Sequence, residues 1–251
     1  MSISDLLGAM MQSGMSPSSR QRVKSALGGE SGGFQESLGG LLGGGDKDPG
    51  GLIGEVLKQA GLAAGGKQNL ALGGLGALAG ALLGGGGKSV RGALGGGAMA
   101  LLGAMAFKAL QGSGKGTGQV PVGLLEPQTE ADRKELEQET ELVLKAMINA
   151  AKADGRIDEE EIHRIVGKLQ EAGADAEDQR YVLVQMQKPM ETVDLISAVK
   201  GRPELAAQVY AASLMAIEVD TPAEKAYLGQ LASGLGLTPE VTGKIEQMVG
   251  L

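Results

Sequence analysis

Ala150-Ala151-Lys152-Ala153-Asp154-Gly155-Arg156-Ile157-Asp158-Glu159-Glu160-Glu161 is the stretch on which the fold turns. Its Gly155 closes one amphipathic helix, and Asp158 opens the next as an N-cap. Five carboxylates, Asp154, Asp158, Glu159, Glu160 and Glu161, therefore crowd around one helix start. Two readings follow. Oxygen ligands converging from more than one turn suit a hard divalent cation such as Ca²⁺ or Mg²⁺. Alternatively Asp154 and Gly155 end a helix, Asp158 caps its successor, and Glu159 to Glu161 complement that helix's dipole. The spacing is not that of an EF-hand loop, because Gly155 follows the first Asp directly.

Outward from this turn the sequence reads as helices only. Thr129 with Asp132 three residues on predicts an N-cap, and Leu136, Val143, Met147 and Ala150 form the apolar stripe of the helix behind it. Ile162, Ile165, Val166 and Leu169 line the next helix, up to Gly173. Asp175 opens a third, a fourth covers residues 191–200, and Pro203 starts a fifth. Thr221-Pro222-Ala223-Glu224 combines cap, N1 proline and N3 acid for a sixth, and Pro239 starts a seventh. No strand-like alternation appears, so this region is expected to be all-α. The capped turns at Ile157 to Glu161 and Thr221 to Glu224 hint at an internal duplication.

The two halves of the 251-residue chain are different materials. Residues 1–125 hold 35 of the 44 Gly, with ten Lys/Arg against six Asp/Glu; residues 126–251 hold nine Gly, with thirteen Lys/Arg against twenty-four Asp/Glu. An acidic balance with two Phe, three Tyr and no Trp argues against nucleic acid, which needs a clustered basic face and stacking rings. The absence of Cys excludes disulfides and thiolate chemistry. His163 is the single histidine and reads as an exposed helix residue; with no Cys, no nucleophile–base pair can be assembled. Gly84 to Gly87 followed by Lys88-Ser89 lacks the strand and the Gly-Lys-Ser/Thr order of a phosphate loop.

In the front half, residues 1–66 alternate Leu/Met clusters with Gly and Ser and are expected to be a mobile tail with short amphipathic helices. Residues 70–87 (LALGGLGALAGALLGGGG) and 92–107 (GALGGGAMALLGAMAF) carry no charge and approach the ~20 residues a helix needs to cross hydrocarbon. Gly76, Gly80 and Gly84 fall four apart, as do Gly92, Gly96, Ala100 and Ala104, the small-xxx-small pattern of packed membrane helices. Residues 67–110 are therefore expected to hold one or two membrane segments, with 92–107 the better single span and homo-oligomer contacts through the Gly-rich helices. Residues 111–128 read as a linker, and 129–251 as the acidic helical domain.

The Ala153 to Glu161 stretch, with Glu218-Val219-Asp220-Thr221-Pro222-Ala223-Glu224, resembles a tellurite-resistance TerB-like domain. With the Gly-rich front and the Lys88-Ser89-Val90-Arg91 link, the whole is similar to the uncharacterised YebE-type bacterial inner-membrane proteins. The resemblance implies a compact seven-helix bundle, inner-membrane attachment and an association with tellurite or envelope stress; if both stretches cross as a hairpin, Lys58, Lys67, Lys108 and Lys115 on the flanks against Lys88 and Arg91 in the loop favour the helical domain in the cytoplasm. It also implies divalent metal binding at Asp154, Asp158, Glu161, Asp220 and Glu224. The second motif lacks the Asp-Gly pair of the first. The function expected is that of a non-enzymatic, membrane-anchored, ion-responsive protein in contact with the lipid bilayer and a protein partner, the alternative being a soluble or peripheral scaffold with a Gly-rich spacer.

Overall fold

Prolines and capping side chains set most of the helix starts. The computed structural model describes residues 6, 7, 10, 90–124, 127–153, 155, 162 and 176–251. Among these it contains seven α-helices, one 3-10 turn and no strand. The helices are α1 (Val90–Gly112), α2 (Glu130–Ala151), α3 (Ala176–Gln187), α4 (Thr192–Val199), α5 (Pro203–Ala216), α6 (Pro222–Gly234) and α7 (Pro239–Met248). The 3-10 turn, Val122–Leu124, lies between α1 and α2.

Helix α2 starts on a reciprocal capping box. Thr129 Oγ1 accepts from the Asp132 amide at 3.1 Å, and the Asp132 carboxylate accepts from the Thr129 amide at 2.8 Å. Those bonds, with one from the Gln128 amide, hold the Asp132 carboxyl below its ordinary range. Pro203, Pro222 and Pro239 each stand in the first turn of their helix, where the missing N–H costs nothing. Of the sequence-expected helices, the one behind Asp158 lies outside the described residues except for Ile162, which is helical and half-buried.

Helix α5 is the axis of the fold: every residue from Glu204 to Ala216 is buried. A helix buried all round needs neighbours all round, and α1, α2, α6 and α7 supply them. Five alanines, Ala206, Ala207, Ala211, Ala212 and Ala216, let those neighbours approach.

The largest departure from the sequence reading is α1. Residues 92–107 were expected as the better membrane span, but residues 98–106 of that stretch run through the bundle's interior: Met99, Leu101, Leu102 and Met105 are at most 1% exposed, and Phe107 is half-buried. No described helix is long and apolar enough to cross a membrane. Gly103 of α1 serves close packing within the chain. A Cβ on Gly103 would stand 3.2 Å from Pro121 and Leu124, and one on Gly123 would stand 2.6 Å from the Met99 carbonyl oxygen.

Residues 111–124 are tied down. Gly114, at φ 67°, takes the left-handed turn that ends α1, and the amides of Lys115 and Gly116 return to the Leu110 carbonyl at 3.0 and 3.2 Å. Thr117 then donates its amide (3.2 Å) and its hydroxyl to the buried Glu204 carboxylate at the start of α5. At the other end of the chain's front half, Leu6, Leu7 and Met10 are helical and at most 2% exposed, and they belong to the same apolar cluster as α1 and α5. The remaining candidate span, residues 70–87, lies outside the described residues.

Candidate functional site

A pocket of about 160 Å³ opens where α2 meets the turn from α3 into α4. One stripe of α2 forms its wall, with Leu142, Lys145, Ile148 and Asn149. Leu195 and Ala198 of α4 face that stripe, and Gln185, Lys188, Pro189, Glu191 and Asp194 complete the lining.

The pocket's shape depends on a buried lysine. Lys152, the C-cap of α2, is 7% exposed and donates Nζ to the carbonyl oxygens of Gln185 (2.5 Å) and Lys188 (2.9 Å). Those carbonyls end α3 and have no partner within it, so a cation there satisfies them and favours the negative end of the helix. Burial pulls the Lys152 ammonium below its usual range, while the Glu191 carboxylate works in the opposite direction. Above the pocket, Glu141 binds Lys145 at 2.9 Å and accepts from the Tyr181 hydroxyl at 3.1 Å; the Lys145 hydrogen bond leads in holding its carboxyl low. Burial in turn pushes the Tyr181 phenol up.

The acidic positions singled out by sequence divide in two. Asp154, Asp158 and Glu161 lie outside the described residues, as does His163. Asp220 is exposed, and Glu224 is 6% exposed. Glu224 Oε2 accepts from the amides of Asp220 (3.2 Å) and Thr221 (3.0 Å) and from the Thr221 hydroxyl (2.9 Å), while the Glu224 amide donates back to Thr221 Oγ1 (3.1 Å). Burial alone would raise this carboxyl, but the hydrogen bonds from Thr221 and Asp220 outweigh it and leave the group lowered. A cation drawn to Glu224 would compete with three donors already aimed at one oxygen. Among the described residues no group of three or more His, Cys, Asp or Glu gathers as a metal site. The turn before this cap holds Val219 at φ 60°, a conformation costly for a β-branched residue.

Glu224→Ala should therefore cost about 1 kcal/mol through the lost cap. Chemical denaturation in EDTA and in millimolar Mg²⁺ or Ca²⁺ checks the cause: capping gives the same loss in all three, metal ligation a loss only with metal.

Three polar positions of the α2 region carry more than the sequence reading gave them. Glu139 sits on the same stripe as Leu136 and Val143, a spacing that places a carboxylate on a buried face. Asn149 and Gln185 are buried beside the pocket at 5% and 9% exposure. A lone amide among apolar residues gives a weak signal until the packing partner is known.

Comparison with known proteins gives this arrangement a family. The profile of the DUF533 family, described as a protein of unknown function, matches residues 65–249. The chain belongs to the DUF533 family. DUF533 is a TerB-like family, in keeping with the resemblance at the two acidic turns. Its span takes in α1 together with α2 to α7. The chain is also similar to an uncharacterised protein in the ampR 5′ region of Yersinia enterocolitica, with 29% identity over 122 residues, covering 49% of this chain and 87% of that protein. No solved structure matches it.

Proposed function

We propose that this DUF533 chain is a non-enzymatic interaction module that takes a protein partner at the corner between α3 and α4. One observation carries the reading. Four large apolar side chains stand exposed among the described residues, and three of them, Val184 (45%), Met190 (41%) and Val193 (76%), flank pocket-lining positions within this corner. The fourth is the C-terminal Leu251. Apolar side chains gathered beside a depression with a polar rim are what a binding surface presents.

Bilayer attachment of the YebE type is a separate proposal resting on residues 70–87 alone, since the core takes up residues 98–106 of the other stretch. It predicts carbonate-resistant pelleting of the intact chain that is lost when residues 70–87 are deleted. The link to ion response and to tellurite or envelope stress rests on the TerB-like resemblance.

Photo-crosslinking in cells tests the interaction surface. With the photoreactive residue at Val193, discrete adducts are expected; at Glu240, exposed on α7, none of those adducts should form. The same adduct pattern from both positions, or none from Val193, overturns the reading.

A further inference from the structure

Leu6, Leu7 and Met10 are helical, at most 2% exposed, and part of the apolar cluster to which α1 and α5 contribute. Residues 11–89 separate them from the start of α1 in sequence. The family match begins at residue 65 and takes in α1 to α7, so the bundle lies inside the family's shared region and these three residues lie outside it. By burial they are core; by family span they are an addition to it.

Their spacing is that of a docked helix. Leu6, Leu7 and Met10 share one helix face, and Ile3 extends the pattern in the sequence to i, i+3, i+4 and i+7, with Ser4, Asp5 and Gly8 between. Those are the anchor positions of an amphipathic helix laid in an apolar groove. So short a helix is marginal by itself in water, and its order comes from the surface beneath it. That surface is a side of α1. Residues 98–103 are buried without a break, which on a helix means burial in every direction. Helices α5 and α7 and the 3-10 turn pack on α1, and Leu6, Leu7 and Met10 add to its cover within the same cluster.

We infer that α1 presents a groove for a short amphipathic helix, and that the chain's own segment around Leu6 to Met10 fills it as a detachable, tethered ligand. Its hold is a few apolar side chains set against the ordering of one short helix, so the segment opens at lower cost than the bundle unfolds. Release uncovers an apolar face of α1 and leaves the packing among α1, α5 and α7 in place. The inference is independent of the corner between α3 and α4.

The full-length protein, given a specific protease site between Gly32 and Gly33, is folded and then cut. Fragment 1–32 is expected to stay with the bundle on gel filtration and to be displaced by excess synthetic peptide of residues 1–15, while the bundle keeps its helical circular dichroism and its cooperative melting. The same peptide with Leu6→Asp and Leu7→Asp should displace at least tenfold more weakly. A second measurement uses the uncut protein. Its Leu6→Asp/Leu7→Asp variant should bind fluorescein-labelled peptide 1–15 with a saturable rise in anisotropy, and the unsubstituted protein, its groove already filled, should bind that peptide at least tenfold more weakly. Four results overturn the inference: a cut bundle that loses cooperative melting, which makes the segment an integral part of the core; a fragment that no peptide displaces; equal displacement by the two peptides; or equal binding of the labelled peptide by the two uncut proteins.

Discussion

Leu102→Ala is expected to lower the folding stability by about 3 kcal/mol, and a chain starting at residue 113 is expected to lose cooperative unfolding. Leu102 is 0% exposed in the middle of α1, so truncating it removes buried methyl groups and leaves a cavity among neighbours that relax only in part. Deleting α1 does more. It uncovers the sides of α5 and α7 on which α1 packs and strips Gly123 of the Met99 backbone against which it is fitted. The linker reading makes the opposite forecast: if residues 92–107 lay in lipid and the helical domain began near Thr129, the domain would unfold alike with or without them. Guanidinium denaturation of the intact chain, of Leu102→Ala and of the 113–251 fragment decides. The slope of stability against denaturant reports the surface exposed on unfolding. A fragment with the same midpoint and slope as the intact chain would return α1 to the membrane.

The difference between the two forecasts shows where sequence reading reaches its end. The starts of α2, α5, α6 and α7 were legible because their signals are local: a Thr and an acid three residues apart, or a Pro at the first helical position, satisfy or spare backbone donors within a single turn. Helix α1 carries no acid, only Arg91 and Lys108 outside its uncharged stretch 92–107, and six Gly that weaken any intrinsic helix preference. Its helicity comes from what surrounds it, and uncharged Gly/Ala/Leu sequence suits lipid and a protein interior equally. The Leu6, Leu7 and Met10 cluster was hidden for a related reason, since three apolar residues in a Gly/Ser-rich stretch acquire a burial site only through contacts distant in sequence. At Glu224 both the cap and the candidate ligand were visible in the sequence, and the geometry shows the carboxylate engaged in the cap. The pocket was not legible: Asn149, Gln185 and Leu195 come from three helices and become one site only when those helices dock.

Stability should fall as pH rises from 4.5 to about 7, and Glu139→Gln should remove most of that fall. Glu139 is 5% exposed on α2, and burial pushes its carboxyl up from the ordinary 4.5 to about 7; Arg202 works against the shift and Glu135 adds to it. The opposing ion pair is long, with Arg202 Nη1 3.4 Å from Glu139 Oε1, and the guanidinium is divided, since Nη2 donates to the Ala198 carbonyl at 2.7 Å. A half-shared, 41% exposed guanidinium cannot restore what the carboxylate loses by leaving water. The sign follows from proton counting. Between 4.5 and about 7 the folded chain keeps a proton that the unfolded chain releases, so each rise in pH favours unfolding. The contribution is complete below 4.5 and is lost as pH passes through about 7. Solvent around Arg202 screens the effect, so about 2 kcal/mol is expected across the window. Gln keeps the shape and a hydrogen bond to Arg202 without the charge, so the variant should match the parent at pH 4 and exceed it by about 2 kcal/mol at pH 8. Urea denaturation at those two pH values measures both; a variant less stable than the parent at pH 8 would mean that the Arg202 pair outweighs the burial of the charge.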